Sequence, residues 1–365
     1  MKVPLLDLKP QYQIIKDQIE PAMLALMESQ QFVLGRAVSA FESHIARYCS
    51  CTYALGVSSG TDALLCALMA LGIKAGDEVI VPVFTFFGSA GAVARTGARP
   101  VFIDIDPATF NLDVSRLDGL ITPRTRAIMP VHLFGQMAPM QPIMEIARRH
   151  DLAVIEDACQ SIGTRQDGIT PGQISTCACL SFYPSKNLSG FGDGGLILTQ
   201  DANFDHVCRS LRVHGESSRY YHDLIGGNFR LDAIQALACD IKLPHLDGWV
   251  ELRRRHAAIY DRLLAEPVVT PYVAPGNISV CNQYVIRAPR RDELQKYLAD
   301  REIGSGIYYP VPLHLQRCFG YLGYTPGDFP AAEAACREVL ALPVFPELSD
   351  EQIEFVAKTV NDFYR

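Results

Sequence analysis

Between residues 53 and 212, short apolar runs alternate with longer stretches in which apolar positions recur every three or four residues. The runs at 53–57, 78–81, 100–104, 127–132 and 152–157 predict buried strands. The stretches between them, at 59–71, 86–96, 114–121 and 140–150, predict helices. Strands alternating with helices build a mostly parallel sheet with helices on both faces, because each crossover returns over a face. The alternation then breaks. Runs at 177–183 and 195–199 follow each other with no helix between them, so one strand of that pair is expected antiparallel. A helix is expected at 202–212.

Residues 230–265 read as nearly continuous helix, interrupted near Pro244. Beyond it the order changes: strands at 283–288 and 303–309 mix with helices at 292–301, 331–340 and 350–364. The expectation is an α/β fold with a large domain over 1–245 and a small α+β domain over 246–365 that starts with the bridging helix. The length agrees, since 365 residues at about 150 per domain allow one large and one smaller unit.

Composition narrows the class. Hydrophobic residues make up 48% and charged ones 20%, a globular balance that excludes disordered and collagenous chains. The net charge is −7 and no block of Lys or Arg occurs, which argues against a nucleic-acid groove or a polybasic membrane patch. The 11 Cys are an odd, dilute set, and no leader-like stretch precedes Met1-Lys2-Val3-Pro4. The thiols are therefore expected reduced and in the core, and the protein cytoplasmic. The pairs Cys49/Cys51 and Cys177/Cys179 lack the His neighbours of a zinc site, so no metal is expected. The longest apolar run, 63–73, is roughly half of what a bilayer span needs.

Ligands of open α/β sheets lie at the carboxyl ends of the strands. After the first strand comes Ser58-Ser59-Gly60-Thr61-Asp62, which is either an ordinary helix cap or an anion seat at a helix N-terminus. The fifth strand ends in Asp157, a carboxylate that either caps a succeeding helix or holds a cation. The strand 177–183 leads into Pro184-Ser185-Lys186-Asn187 and a Gly-rich loop. Lys186 is either a surface charge or a desolvated nucleophile. The loop Gly190-Phe191-Gly192-Asp193-Gly194-Gly195 precedes a strand rather than a helix, so it fails as a dinucleotide fingerprint. An anion seat, a carboxylate and an amine at one sheet edge are what pyridoxal 5′-phosphate needs.

The segments 59–64, 156–160, 181–187, 192–195, 227–232 and 309–314 resemble the DegT/DnrJ/EryC1/StrS family of sugar aminotransferases, which are fold-type-I pyridoxal phosphate enzymes. The resemblance implies roles residue by residue. Lys186 would form the imine with the cofactor and carry protons, and Asp157 would pair with the ring nitrogen. Gly60, Thr61 and Ser181 would hold the phosphate, Phe86 would stack on the ring and Gln160 would bond the phenolic oxygen. Asn228 would reach the cofactor of the neighbouring subunit, making a homodimer with shared sites. Arg230, Tyr308, Tyr309 and His314 would face the substrates, with Arg212, His214, Arg219, Tyr220 and Tyr221 as candidates for the nucleotide end. The presence of Lys186, where a dehydratase branch has His, implies transamination from L-glutamate to a keto-sugar nucleotide. Residues 277–280 and 283–287 are similar to the branch that aminates UDP-2-acetamido-3-oxo-glucuronate, although Cys281 and Asn282 depart from its pattern and Tyr308 stands where that branch has His. A TDP-linked 3-oxo sugar, a 4-keto sugar and a cofactor-binding regulator without turnover stay open.

Overall fold

The computed structural model describes residues 1–365. Eight strands belong to the first two hundred residues: β1 Tyr53–Val57, β2 Glu78–Pro82, β3 Arg99–Ile103, β4 Thr125–Ile128, β5 Ala153–Asp157, the short β6 Arg165–Gln166, β7 Cys177–Ser181 and β8 Gly195–Thr199. Seven of them form one sheet in the order β1-β8-β7-β5-β4-β2-β3. Only β8 runs against the rest, pairing antiparallel with both β1 and β7. The direct β7-to-β8 turn that the sequence lacks a helix for is thus the one reversal in the sheet.

Side chains alternate between the faces, as the pleat requires. Val79, Val81, Ile155, Cys177, Cys179 and Ile197 join the core under α3 Gly60–Ala70, α4 Phe87–Arg95 and α6 Ala202–Leu211. Their neighbours Ala178, Leu180, Leu196 and Leu198 point the other way, toward α2 Gly35–Tyr48 and α7 Ala233–Lys242. Ile80 and Val154 pack on α5 Met140–Arg149. The long helix α1 Lys9–Ser29 crosses α7, burying Ile15 and Ile19 against Trp249 of α8 Leu246–Leu263. The apolar pattern anticipates neither α1 nor α2.

β1 is an edge strand, and its free backbone groups are satisfied by side chains. Glu42 of α2 accepts from the Gly56 N–H at 2.8 Å, Arg209 donates to the Ala54 carbonyl at 3.0 Å, and Arg212 donates to the Gly56 carbonyl at 3.1 Å. A covered edge is closed to another chain.

Several expected elements differ. The helix at 114–121 is two 3₁₀ turns, Val114–Arg116 and Asp118–Leu120, because its apolar positions repeat every three residues and Gly119 lies inside it. The strand at 127–132 is β4, ending at Ile128, since Pro130 has no N–H for the ladder. The strand at 303–309 is coil carrying single bridges, Ile303 to Val3 and Gly306 to Ala341. A Cβ on Gly304 would lie 2.4 Å from the Leu5 nitrogen, so the N-terminal segment occupies that place. The helix at 331–340 is α10 Pro330–Glu338 after α9 Arg291–Ala299, and the residues after it form the strand Val339–Leu342, antiparallel to Tyr284–Arg287. That helix and strand abut without a turn residue, which is why the pattern reads as one element. The 230–265 helix is α7 and α8 joined by a 3₁₀ turn over Leu243–His245. The C-terminal core gathers α8, α9, the final helix α11 Asp350–Phe363 and Val3 from the N-terminus.

Candidate active site

The chain leaves β1 and caps α3 with its own side chain: Ser59 Oγ accepts from the Asp62 N–H at 3.0 Å. The first N–H groups of a helix have no intrahelical acceptor. Those of Gly60 and Thr61 therefore stay available at the positive end of the helix dipole. Gly60 is required by closeness rather than by its backbone angles. A Cβ there would lie 2.7 Å from Cys159 Sγ and 2.8 Å from Ser181 Cβ. Thr61 comes near Phe86 through Gly88, where an added Cβ would meet Thr61 Oγ1 at 3.0 Å and the Phe86 ring at 3.1 Å. Cap and anion seat, alternatives in the sequence, are one feature: Ser59 caps and the next two residues are left free.

Asp157 ends β5 and is 5% exposed. Its Oδ2 accepts from Ser89 Oγ at 2.6 Å and its Oδ1 from the Cys159 N–H at 3.2 Å. Ser89 is fully buried in the first turn of α4, and nothing in the sequence singles it out. No spacing rule reveals it, because the contact depends on where α4 meets β5 in space.

Lys186 sits in a turn closed by its own N–H to the Tyr183 carbonyl at 2.8 Å. Desolvation pulls its amine below the ordinary lysine range, against the opposite pull of Cys159 and Asp157. The same surroundings push the Cys159 thiol well up, burial first and Asp157 next. Gln160 spans the pocket, accepting from the Phe134 N–H at 2.8 Å and donating to the Tyr309 hydroxyl at 3.1 Å. Burial raises the Tyr309 phenol. Phe86 precedes α4 and is 56% exposed, so it is not core, and its ring lies 6.2 Å from that of Tyr309.

Gly60, Thr61, Phe86, Asp157, Gln160, Ser181, Lys186 and Tyr309 therefore meet at one sheet edge. Tyr308 adjoins them, its ring 6.0 Å from Tyr309. Arg230 bridges to Val57 by its backbone, directly beside the anion seat. Asn228 is exposed and pairs with Val213 by backbone alone; it does not cap the next helix, which begins at Ala233. Two residues are not in the pocket. His314 has no exposed side-chain surface and bonds Glu333 at 3.1 Å beneath Phe329, so it packs rather than touches a ligand. Arg212 is buried in an ion pair with Glu42 at 2.6 Å, which holds the β1 edge and leaves no charge for a diphosphate. His214, Arg219, Tyr220 and Tyr221 are exposed around the hairpin 216–222.

Such a pocket fits pyridoxal 5′-phosphate at each end. A phosphate would meet free helix N–H groups, a ring nitrogen would meet a buried carboxylate, and an aldehyde would meet a desolvated amine. This is the architecture of a fold-type-I pyridoxal phosphate enzyme. The chain belongs to the DegT/DnrJ/EryC1/StrS aminotransferase family, whose model matches residues 13–361, and its cofactor is pyridoxal 5′-phosphate. It is 49% identical to a "pleiotropic regulatory protein" of Geobacillus stearothermophilus, over 100% of this chain and 99% of the relative. It is 40% identical to the UDP-N-acetyl-3-dehydro-alpha-D-glucosamine 3-aminotransferase of Acidithiobacillus ferrooxidans, over 98% and 97%. The crystal structure of S. venezuelae DesV in complex with a ketimine intermediate superposes with a TM-score of 0.97 at 41% identity, covering 99% of this chain and 98% of that one.

Proposed function

We propose that this protein takes an amino group from L-glutamate and delivers it to the C3 keto carbon of a sugar linked to a nucleoside diphosphate. The observation that carries the reading is a lysine amine held out of water at the same sheet edge as the buried Asp157 carboxylate and the free N–H groups of Gly60 and Thr61. The choice of C3 rests on likeness to the Acidithiobacillus ferrooxidans enzyme, whose name places the amine there.

When bound, the cofactor supplies an aldehyde that captures the amine and a ring that accepts the electrons released at carbon. The protein's own groups do the rest. Nζ of Lys186 would move the proton from the donor's α-carbon to the cofactor's C4′ in the first half-reaction and from C4′ to the sugar carbon in the second, and a depressed pKa keeps part of the amine free to do so. Asp157, fixed by Ser89 and the Cys159 N–H, would pair with the ring nitrogen and keep it protonated. Gly60, Thr61 and Ser181 would seat the phosphate, Phe86 would stack on the ring and Gln160 would bond the phenolic oxygen. Arg230 takes the donor carboxylate, and Tyr308 and Tyr309 line the acceptor side.

The working unit in this reading is a homodimer with shared sites. Exposed apolar side chains support it: Ile225 is 91% exposed, Tyr220 and Tyr221 lie beside it, and Ile14, Leu24 and Met27 are bare along α1. Clusters of that kind mark interfaces. Asn228, bare within its own chain, would serve the partner's phosphate. Residues 1–245 carry the cofactor and 246–365 form the smaller domain. The reaction belongs to the cytoplasm, where the eleven free thiols stay reduced. No helix is long and apolar enough to cross a membrane.

The experiment is a panel of 3-keto and 4-keto sugar nucleotides incubated with ¹⁵N-glutamate, read by mass spectrometry. Label on a 3-keto acceptor is expected. Label on a 4-keto acceptor alone moves the position. Bound cofactor with no label on any acceptor favours the second reading, a regulator without turnover, for which the Geobacillus relative's name is the support.

A further inference from the structure

Asn187 is the immediate neighbour of Lys186, is 4% exposed, and donates from Nδ2 to the Val280 carbonyl at 2.9 Å. Val280 lies in a strap, residues 278–282, that arrives from the C-terminal third of the chain; Val280 and Asn282 are buried, Val280 against the large sheet's core, while Ile278 is exposed. The strap is bonded along its whole length. Its Ile278 carbonyl accepts from the fully buried Thr164 hydroxyl at 2.7 Å. The Val280 N–H donates to the Gly135 carbonyl at 2.9 Å, and the Asn282 N–H to the Phe134 carbonyl at 3.0 Å. Gly135 permits this approach: its φ is +106°, and a Cβ there would lie 3.0 Å from the backbone nitrogens of Cys281 and Asn282. Phe134 in turn donates its N–H to Gln160. One strap therefore holds the turn that carries the amine and the loop that orients Gln160.

We propose that Asn187 is a positioning residue for Lys186, acting through its bond to the strap 278–282, and that the strap fixes the amine relative to Gln160 and Asp157. The proposal rests on the reading of Lys186 as the imine-forming amine. The Lys186 side chain itself forms no ion pair, so its position depends on the backbone turn. The Gly190 N–H to the Phe182 carbonyl, at 2.8 Å, closes the turn from behind. Between them two side chains bond to other parts of the chain: Ser189 Oγ accepts from Lys242 Nζ at 3.2 Å, and Asn187, the one that adjoins the lysine, bonds the strap. Removing that bond lets water reach the amine. The titratable groups that face Lys186 are Asp157 and Cys159.

The test compares wild type, Asn187→Ala and Thr164→Val, which leave Asp157 and Cys159 unaltered; the last frees the strap at Ile278 without touching the lysine turn. In the cofactor-free full chain, the pH midpoint of Lys186 acetylation is read by peptide mass spectrometry. It should rise toward the ordinary lysine value in both variants, more in Asn187→Ala. A rise of one unit lowers the free-amine fraction about tenfold at a fixed pH below the midpoint. In the loaded enzyme, kcat should fall about tenfold with the acceptor KM within about twofold. A merely structural asparagine would lower the melting temperature and leave the midpoint in place. An unmoved midpoint in folded Asn187→Ala overturns the proposal; if that variant does not fold, an unmoved midpoint in Thr164→Val overturns it. Failure of the functional reading is seen separately, as a wild-type chain that takes up no pyridoxal phosphate.

Discussion

On the sheet side of the pocket, Gly60, Asp157 and Ser181 each stand at the end of a regular element, and Lys186 comes five residues after β7. On the opposite side, Tyr308 and Tyr309 ride on coil beyond two single bridges, and the neighbouring His314 turns away into an aromatic cluster with Phe329. The sheet side is positioned by backbone ladders that recur in any such fold. The coil side is positioned by individual contacts, such as Gln160 to Tyr309 and the Leu5 backbone against Gly304. Chemistry common to a family belongs on the first kind of support, and choice of substrate on the second. The two sides should therefore fail differently.

The largest effect is expected on the sheet side. Lys186→Ala should lower amine transfer by at least about a thousandfold while the chain still folds, because the half-buried Lys186 side chain makes no hydrogen bond or ion pair within the chain. The shared-site reading adds a second measurement. Mixing Lys186→Ala with Asn228→Ala in equal amounts should restore about a quarter of wild-type turnover, since half the dimers are mixed and each has one intact site. No recovery at all would mean that Asn228 serves its own chain.

The same contrast explains what was legible in the sequence. The alternation of apolar runs reveals the succession of β1 to β5 along the chain, and the missing helix after 177–183 reveals that one of the next two strands reverses but not that it is β8, because succession is local and direction in the sheet is not. The site residues at strand ends came with those strands. What escaped depends on partners far away in the chain. Ser89 is a ligand of Asp157 only because α4 and β5 meet. Arg212 looks available for phosphate until Glu42, 170 residues away, neutralises it. His314 belongs to a motif, yet Glu333 and Phe329 claim its ring. The segment 303–309 has strand-like residues but no partner for a ladder, because Val3 and Leu5 fill the space.

A second, smaller effect probes how tightly the sheet side is packed. In Gly60→Ala the new methyl meets Cys159 Sγ at 2.7 Å and Ser181 Cβ at 2.8 Å. One of these must move, and overpacking of this kind costs about 1–3 kcal/mol. The displacement falls on the residues assigned to the phosphate. Cofactor affinity, measured by absorbance titration, should weaken about tenfold or more. The Cys159→Ala, Gly60→Ala double variant should regain part of it, since it removes the atom most closely approached. Equal affinity in wild type and Gly60→Ala would show that the seat is looser than its contacts imply.

The smallest effect tests the coil side by acid. His256 of α8 is 1% exposed and its Nδ1 donates to the Phe345 carbonyl at 3.2 Å; His314 is 2% exposed. Burial lowers the pKa of both, against the pull of the Phe345 carbonyl on one and Glu333 on the other. A histidine with a depressed folded pKa binds its proton more readily when unfolded. Its contribution to stability is complete above the unfolded value of about 6.5 and is lost as pH falls through the folded value. Both groups lie in the C-terminal part, so between pH 7.5 and 5.5 that part should loosen first. Amide hydrogen exchange, after correction for its own pH dependence, should speed up around α8, 313–333 and 345 while β2, β4 and β5 stay protected. The whole-chain melting shift would be only a degree or two, because a chain of this length moves on the order of 1–2 °C per kcal/mol. His314→Gln should remove part of the pH slope by deleting one titrating group. Acid-induced exchange that began in the central strands instead would show that the two sides share one cooperative unit, and the division between chemistry and choice of substrate would lose its physical basis.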